Sequence, residues 1–458
     1  MGTVGINFGA ATSGGGFDVT ATVASIVSNL QAVETPWKTQ LSSLKAQDTA
    51  FTSLGTDLST LSTSLQALTD FQGVMASKLG SSSDLNILSL GSADATAVAG
   101  SHTVVVTQLA QTSSEYSAVV HANDTLSGSL TIQVGTSGTP HTIQVVSGTS
   151  DNLTSYAAAI NSAGIGVTAR IISDTTGSRL SLVSGTDGAA GQLTITGGLT
   201  DATTASAIAM KTGLTGQDAL LTVDGISVDS GTNTVSTAIP GVTFQLLSAD
   251  PLTNVQVQVV NDNSSVKTAF TTFATAYNAI VKDLSTQEGK DSSGNTEPLF
   301  GNSVLSRIQS LLSLALTSGS PSGGVSSLYQ LGISVNQDGT LKVDTATLDA
   351  ELNSNYSDVV GYLQDTMSFG VNLQNALDQL GNESPTGAIT LALAANSSQE
   401  TTFNADVTAE DVLIAAQKTS ITAELNLANE TLQAIPQQLD EINQLYSAMT
   451  GYNTKTSG

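Results

Sequence analysis

Both ends of the chain carry apolar residues in the alternating three- and four-residue spacing of paired helices. The N-terminal stripe consists of Leu44, Phe51, Leu54, Leu58, Leu61, Leu65 and Leu68. The C-terminal stripe consists of Ile421, Leu425, Ala428, Leu432, Ile435, Leu439, Ile442, Tyr446 and Met449. This spacing places the apolar side chains on one narrow helix face, which needs a partner helix to leave water. We therefore predict that the two ends pair as an antiparallel bundle, with further contacts from residues 304–316.

A proline interrupts the C-terminal stripe. Pro436 lies between Ile435 and Leu439, and an interior proline removes one helix hydrogen bond and costs about 3 kcal/mol. We expect the helix to kink there, so the pairing is least secure around this residue.

Between the stripes the chain alternates apolar and polar residues in short runs separated by Gly, Ser, Asp and Thr, a pattern typical of β-strands. The runs are 102–107, 129–134, 142–146, 167–172, 179–183, 192–196, 219–223, 242–246 and 255–260. The order predicts an α+β multidomain fold, in which a helical coiled-coil leg from both chain ends carries two inserted β-rich domains, one nested in the other. The predicted segments are a flexible or helical end (1–40), the leg (41–79), the inner β domain (80–113), the outer β domain (114–216), the inner domain again (217–264), the leg again (265–446) and a flexible end (447–458).

Composition excludes several classes of protein. The chain has 38 acidic residues against 13 Lys and Arg and a formal net charge of −25, which argues against nucleic-acid binding and against an anionic membrane surface. A hydrophobic content of 40% is too high for a disordered chain. No apolar run approaches the roughly 18 residues of a membrane span.

Cysteine is absent, which fits either chance or a protein that crosses compartments unfolded and avoids unwanted disulfides. The N-terminal residues have no basic segment followed by an apolar core, the pattern of a cleavable signal peptide. If the protein is secreted, we expect an export route that needs no such peptide.

No pattern indicates an enzyme, a metal site or a cofactor site. His102, His121 and His141 lack metal-ligand spacing. Residues 164–169 spell a dinucleotide-like G-x-G-x-x-A but run from a helix into a strand, so we interpret them as a turn. Residues 291–297 resemble the start of a calcium loop but have no glycine at the required sixth position and no glutamate at the twelfth. We predict no catalytic, metal-binding or cofactor-binding residues.

Residues 16–41 resemble the opening of the bacterial flagellar filament cap proteins, also called hook-associated protein two. The matching residues are Gly16, Phe17, Asp18, Val19, Ile26, Val27, Leu30, Glu34 and Pro36. A second match is similar to the family's Thr-Gln-Leu-Ala-Gln sequence and comprises Thr107, Gln108, Leu109, Ala110 and Gln111.

The C-terminal half contains three further matches. Residues 218–242 are similar to the segment before the family's helical leg, and Tyr277 with Asn278 matches its Tyr-Asn pair. Its Gly-Ile and Asp-Gly-x-Leu pattern is matched by Gly332, Ile333, Asp338, Gly339 and Leu341. Residues 114–216 resemble nothing that we can name.

The resemblance implies a structural cap at the distal tip of the filament, secreted and needed for motility. It implies a homo-oligomeric ring, with a pentamer favoured, that promotes flagellin folding and insertion. It also implies contacts with junction proteins at the hook and with a cytoplasmic export chaperone. The alternatives are another flagellar axial protein, such as a hook–filament junction protein or a flagellin, and a secreted β-rich adhesin active in cell adhesion. An unassigned hydrolase is the enzyme alternative.

Overall fold

The computed structural model describes residues 16–121, 124–319, 323–381 and 384–451. The chain forms two compact units: a helical unit from Met1–Gln66 with Phe270–Gly458, and a β unit from Ala67–Ala269. Both ends of the chain therefore belong to one unit, and the other unit is inserted between them. This architecture confirms the predicted α+β multidomain fold.

Helices dominate the first and last parts of the chain. They are α1 (Val19–Gln31), α2 (Thr35–Thr69), α3 (Leu153–Ser162), α4 (Asn263–Gln287), α5 (Ser303–Leu316), α6 (Thr345–Ser354), α7 (Tyr356–Gln364), α8 (Phe369–Leu380) and α9 (Ala388–Thr450). All but α3 lie wholly or mainly in the helical unit.

Side-chain caps fix where several helices begin. Asp18 accepts a hydrogen bond from the Ala21 amide at 3.0 Å, and Asn302 accepts one from the Val304 amide at 2.9 Å. Ser368 does the same for Val371 at 3.3 Å. Each cap satisfies an N–H group of the first turn, which has no partner within the helix. The helix α9 ends at Gly451, which has the left-handed conformation (φ 68°) that is common at helix C-termini.

The strands follow in chain order. They are β1 (Lys78–Ser82), β2 (Leu88–Ala93), β3 (Gly100–Gln108), β4 (Ser114–Ser117), β5 (Leu126–Val134), β6 (His141–Gln144), β7 (Val167–Asp174), β8 (Gly177–Ser184), β9 (Leu193–Asp201), β10 (Ser206–Ile208), β11 (Met210–Leu214), β12 (Ala219–Val223), β13 (Ile226–Ser230), β14 (Thr234–Ile239), β15 (Val242–Leu246), β16 (Asp250–Asn261), β17 (Ile333–Val335) and β18 (Leu341–Val343). The last two form a hairpin in the helical unit.

The β unit contains two apolar cores. Its inner half has a five-stranded sheet in the order β1-β16-β3-β12-β13 and a three-stranded sheet in the order β14-β15-β2. Alternate residues of these strands, among them Val104, Val106, Val257 and Phe244, form the inner core. The period-two burial of β16 is the pattern expected of a sheet with one face in a core and one in solvent.

The outer half has two four-stranded sheets, ordered β10-β9-β5-β6 and β11-β4-β8-β7. They share a second core with one face of α3, where Tyr156 and Ile160 are fully buried. Asn161 at the end of α3 exchanges two hydrogen bonds of 2.8 Å with the backbone of Ala169 on β7. The amide side chain thus takes the place of a neighbouring strand at that edge.

Candidate assembly surfaces

The N-terminal stripe is buried along α2. Leu44 is 6% exposed, and the other six residues of the stripe are at most 1% exposed. Polar contacts show what lies beside it: Ser53 donates to Asp283 on α4 at 3.2 Å, and Gln374 on α8 donates to Ser62 at 3.2 Å. Asn396 on α9 donates to Asp48 at 2.7 Å. The stripe therefore packs into a multi-helix core.

The C-terminal stripe has a different environment. Leu425 is half-buried, whereas Leu432, Ile435, Leu439 and Ile442 are 42–63% exposed. The prediction that these residues pair with α2 within one chain is wrong. The reason is length: at 1.5 Å per residue the 63-residue α9 extends about 95 Å and the 35-residue α2 about 53 Å. The part of α9 that reaches α2 lies near Asn396, N-terminal to the predicted stripe.

Two other predictions concern the helix at residues 304–316 and the proline at position 436. The segment predicted at 304–316 is α5, which packs against α8 and α9. Pro436 lies inside α9, which continues to Thr450, and the kink expected at this residue stays a prediction.

The first family motif secures α1 against α9. Asp18 is the N-cap described above, and the amide of Phe17 donates to Asn429 at 2.9 Å. Gly16 is buried, and a Cβ atom at this position would lie 2.2 Å from the Asn429 side-chain oxygen. A larger residue would therefore displace the side chain of Asn429, which accepts the hydrogen bond from Phe17. The motif's apolar residues on α1 are all half-buried, namely Val19, Ile26, Val27 and Leu30.

The end of this motif starts α2. Glu34 is fully buried and forms an ion pair with Lys38 one turn later, which raises the pKa of Lys38. Pro36 occupies the first turn of α2, where a proline leaves no intrahelical bond unmade.

The second motif lies where the inner half of the β unit meets the outer half. Gln108 donates from its side chain to the Asp218 carbonyl at 2.8 Å, and Leu109 packs against the inner core. The backbone of Ala110 exchanges two hydrogen bonds with the side chain of Asn233, at 2.8 and 3.0 Å. These contacts bind the chain to the inner half just before it leaves for the outer half.

The chain leaves and returns at adjacent positions. Gln111 and Gln217 form an antiparallel bridge, with N···O distances of 2.8 and 3.1 Å. Ser113, two residues after Gln111, is fully buried and accepts a hydrogen bond from the Leu193 amide at 3.0 Å. The outer half is therefore joined to the inner half by two chain segments that are hydrogen-bonded to each other.

The remaining motifs come together in the helical unit, although 63 residues separate them. Asn278 on α4 forms two hydrogen bonds with the backbone of Leu341, the last residue of the Asp-Gly-x-Leu pattern. Asp338 accepts from the Thr340 amide at 3.0 Å, and Gly339 has φ +83° in the turn between β17 and β18. Tyr277 is buried, and burial raises its pKa.

Sequence reasoning missed one charged contact. Asp57 on α2 and Asp283 on α4 lie together, and desolvation and the second carboxylate raise the pKa of Asp57 to about 6. Only the distance in sequence hid this pair, since each acid alone resembles any other surface acid.

Within the described ranges, no group of three or more His, Asp or Glu side chains is arranged to hold a metal ion. Across the same residues, no helix combines the length and the apolar character needed to cross a bilayer.

Comparison with known proteins identifies the family. The profile described as Flagellar hook-associated protein 2 C-terminus matches residues 216–454, and the profile of the same protein's N-terminus matches residues 15–113. The chain belongs to the flagellar hook-associated protein 2 family. The two matched segments leave out residues 114–215, which hold most of the outer half.

Individual relatives agree with this assignment. Flagellar hook-associated protein 2 of Escherichia coli K12 is 28% identical over 468 residues, covering 97% of this chain and 95% of the relative. The B-type protein of Pseudomonas aeruginosa PAO1 is 28% identical over 382 residues, covering 74% of this chain and 80% of the relative.

A solved structure is also similar. The crystal structure of the Escherichia coli flagellar cap protein FliD, domains D1-D2-D3, matches with a TM-score of 0.58 and 28% identity. The match covers 76% of this chain and 99% of that one.

Proposed function

We propose that this chain caps the distal tip of the bacterial flagellar filament, where it assembles into a homo-oligomeric ring and promotes the folding and insertion of flagellin. The observation that carries the proposal is membership of the hook-associated protein 2 family, with profile matches at both ends of the chain. The similarity to the Escherichia coli cap protein supports it. The role is structural, and no covalent step is assigned to it.

The exposed end of α9 supplies a surface for assembly. Leu432, Ile435, Leu439 and Ile442 retain the spacing of a paired helix but are exposed in the single chain. Contiguous apolar surface of this kind is covered by a partner in most soluble proteins. We call these four residues the α9 seam. Within the ring and filament, the α9 seam would pack against helices of neighbouring chains, so the C-terminal stripe would pair between chains.

The further partners follow from the family. We propose that the chain forms a pentameric ring. We also propose that it contacts flagellin, the junction proteins at the hook and a cytoplasmic export chaperone. The site of action is the filament tip outside the cell.

The test is a capping assay. Purified protein is added to a mutant that lacks its cap protein and releases flagellin monomers, and filaments are counted by electron microscopy. We expect filaments with wild-type protein and few with a Leu432→Ala, Ile435→Ala, Leu439→Ala variant. A matched control replaces three exposed polar residues of the same helix, Gln437→Ala, Glu441→Ala and Gln444→Ala, and should keep activity. Continued release of monomers in the presence of folded wild-type protein would reject the cap function.

A further inference from the structure

One sheet face of the outer half collects every lysine and arginine of residues 114–216. These three residues are Arg170, Arg179 and Lys211. In β-sheets, residues directly opposite each other on neighbouring strands point to the same side. Lys211 on β11 lies opposite Tyr116 on β4, which lies opposite Ser181 on β8.

The row continues across the sheet. Ser181 lies opposite Arg170 on β7, and two positions along, Arg179 lies opposite Ile172. Burial shows which side this is: the alternate residues Leu182 and Ala169 belong to the outer core. Lys211 and Arg170 are exposed and Tyr116 is half-exposed. We call the solvent side of this sheet the basic face, with the members Tyr116, Arg170, Ile172, Arg179, Ser181 and Lys211.

One acidic residue lies at the edge of this face, because Asp174 is on the same side of β7 as Arg170 and Ile172. Among the described residues of the outer half, Glu115 points into the core side and accepts from the Thr212 hydroxyl at 2.8 Å. Asp174 lies 3.9 Å from Arg179 and pairs with it. Among the residues that the structure describes, Arg170 and Lys211 have no acidic side chain within salt-bridge distance. Three strand spacings of about 4.8 Å place these two positions roughly 14 Å apart, on either side of Tyr116.

This distribution is unusual for a chain whose net charge is −25. A cationic sheet face with a central tyrosine has the composition of an interface that receives an acidic surface, because tyrosine and arginine are enriched at binding hot spots. The most concentrated source of acidic surface in a ring of identical chains is the neighbouring chain. Each copy carries 38 acidic residues against 13 Lys and Arg, so a second copy offers an excess of acidic side chains that complement the basic face.

We propose that the basic face of the outer half docks against an acidic surface of a second copy of this chain. Two basic faces would repel each other, so the contact joins different surfaces of the two copies. Such heterologous contacts generate closed rings when the rotation closes. The inference rests on the proposed ring and names one of the surfaces that would hold it together.

Charge reversal tests the contact. In the variant Arg170→Glu with Lys211→Glu, both changes lie on exposed strand positions and the fold should survive, which thermal melting checks. The control, Arg307→Glu with Lys290→Glu, shifts the net charge equally at exposed positions of the helical unit. Native mass spectrometry should show ring formation at least about tenfold weaker for the basic-face variant than for the control. A milder pair, Arg170→Gln with Lys211→Gln, should give an intermediate loss and serves if the reversal misfolds.

Cross-linking identifies the occupant. Since the chain has no cysteine, Tyr116→Cys provides a single attachment point for a photoreactive maleimide on assembled rings. We expect cross-links to acid-bearing peptides of a second copy. Cross-links found only to flagellin or to an acidic saccharide, or rings of the basic-face variant as abundant as those of the control, would overturn the inference. In either case, wild-type protein that still caps filaments would leave the proposed function standing.

Discussion

Asn278 forms two hydrogen bonds with one residue, Leu341, which lies 63 positions later in the chain. Its amide group donates to the Leu341 carbonyl at 2.8 Å, and its side-chain oxygen accepts from the Leu341 amide at 2.6 Å. The side chain thereby acts as a third strand for the β17–β18 hairpin. Two sequence patterns that look independent in the chain are thus two halves of one contact.

Replacing this asparagine should destabilise the helical unit. Asn278→Ala leaves the N–H and C=O groups of Leu341 without partners, and each unsatisfied buried group costs about 1–3 kcal/mol. We expect the urea midpoint to fall with an unchanged m-value. Asn375→Ala, on the exposed side of α8, is the matched control and should leave the midpoint in place. Equal midpoints for the two variants would show that the contact contributes nothing.

Burial, and not spacing in the sequence, should determine how much each leucine of the two stripes contributes to the free energy of unfolding. Leu61→Ala removes a side chain that is 0% exposed and should lower the free energy of unfolding by about 2–5 kcal/mol. Leu432→Ala removes one that is 42% exposed, and surface substitutions usually change stability by less than about 0.5 kcal/mol. Thermal melting of the two single variants compares the same chemical change at both sites. Equal losses would mean that the α9 seam is already buried in the single chain.

The pair of Asp57 and Asp283 should make the helical unit less stable as the pH rises. The folded state raises the pKa of Asp57 from 3.8 to about 6, so between these values the folded chain binds more protons than the unfolded chain. Stability from this pair is therefore complete below about pH 4 and is lost as the pH rises through about 6. Asp57→Asn keeps a hydrogen-bond donor but carries no charge, so it should remove this dependence.

The measurement is the urea midpoint at several values between pH 4 and pH 8. Wild type and an Asp440→Asn control, changed at an exposed position of α9, should both show the decline that Asp57→Asn lacks. Parallel curves for all three proteins would show that the pKa of Asp57 is not raised in the folded chain.

Much of the fold could be predicted from sequence because the periodicities were local. The strands β3, β5, β7 and β8 were each predicted from alternation within a few residues of their observed ends. The predicted insertion of β structure between two helical ends required only their order along the chain. The residues of the family motifs were likewise found, but their contacts were not.

The unpredicted parts depend on long-range packing. The helix α9 starts at Ala388, although the C-terminal stripe begins only at Ile421, because Ser, Asn and Thr dilute the apolar pattern before it. The predicted partner of α2 was wrong for a second reason. The 3-4 spacing identifies a helix face that must be buried but does not identify the helix that buries it. The contact of Asn396 with Asp48 can be identified only once the helices are packed. The basic face, whose members lie up to 95 positions apart, can be identified only once the strands are in register.

Removing the outer half should leave the inner half folded. Gln111 and Gln217 already face each other across an antiparallel bridge, so a two-residue glycine link between them replaces residues 112–216 by a turn that needs no rearrangement. The inner core residues Val104, Val106 and Val257 make no part of the outer core. We expect amide exchange protection of these strands to match that of the full chain, with helix content by circular dichroism reduced only by the 10 residues of α3. As a control, a variant that joins Thr107 to Leu221 removes the contacts of Gln108 and Ala110 and should lose that protection. If both deletions unfold β3 and β16, the two halves of the β unit fold only as one.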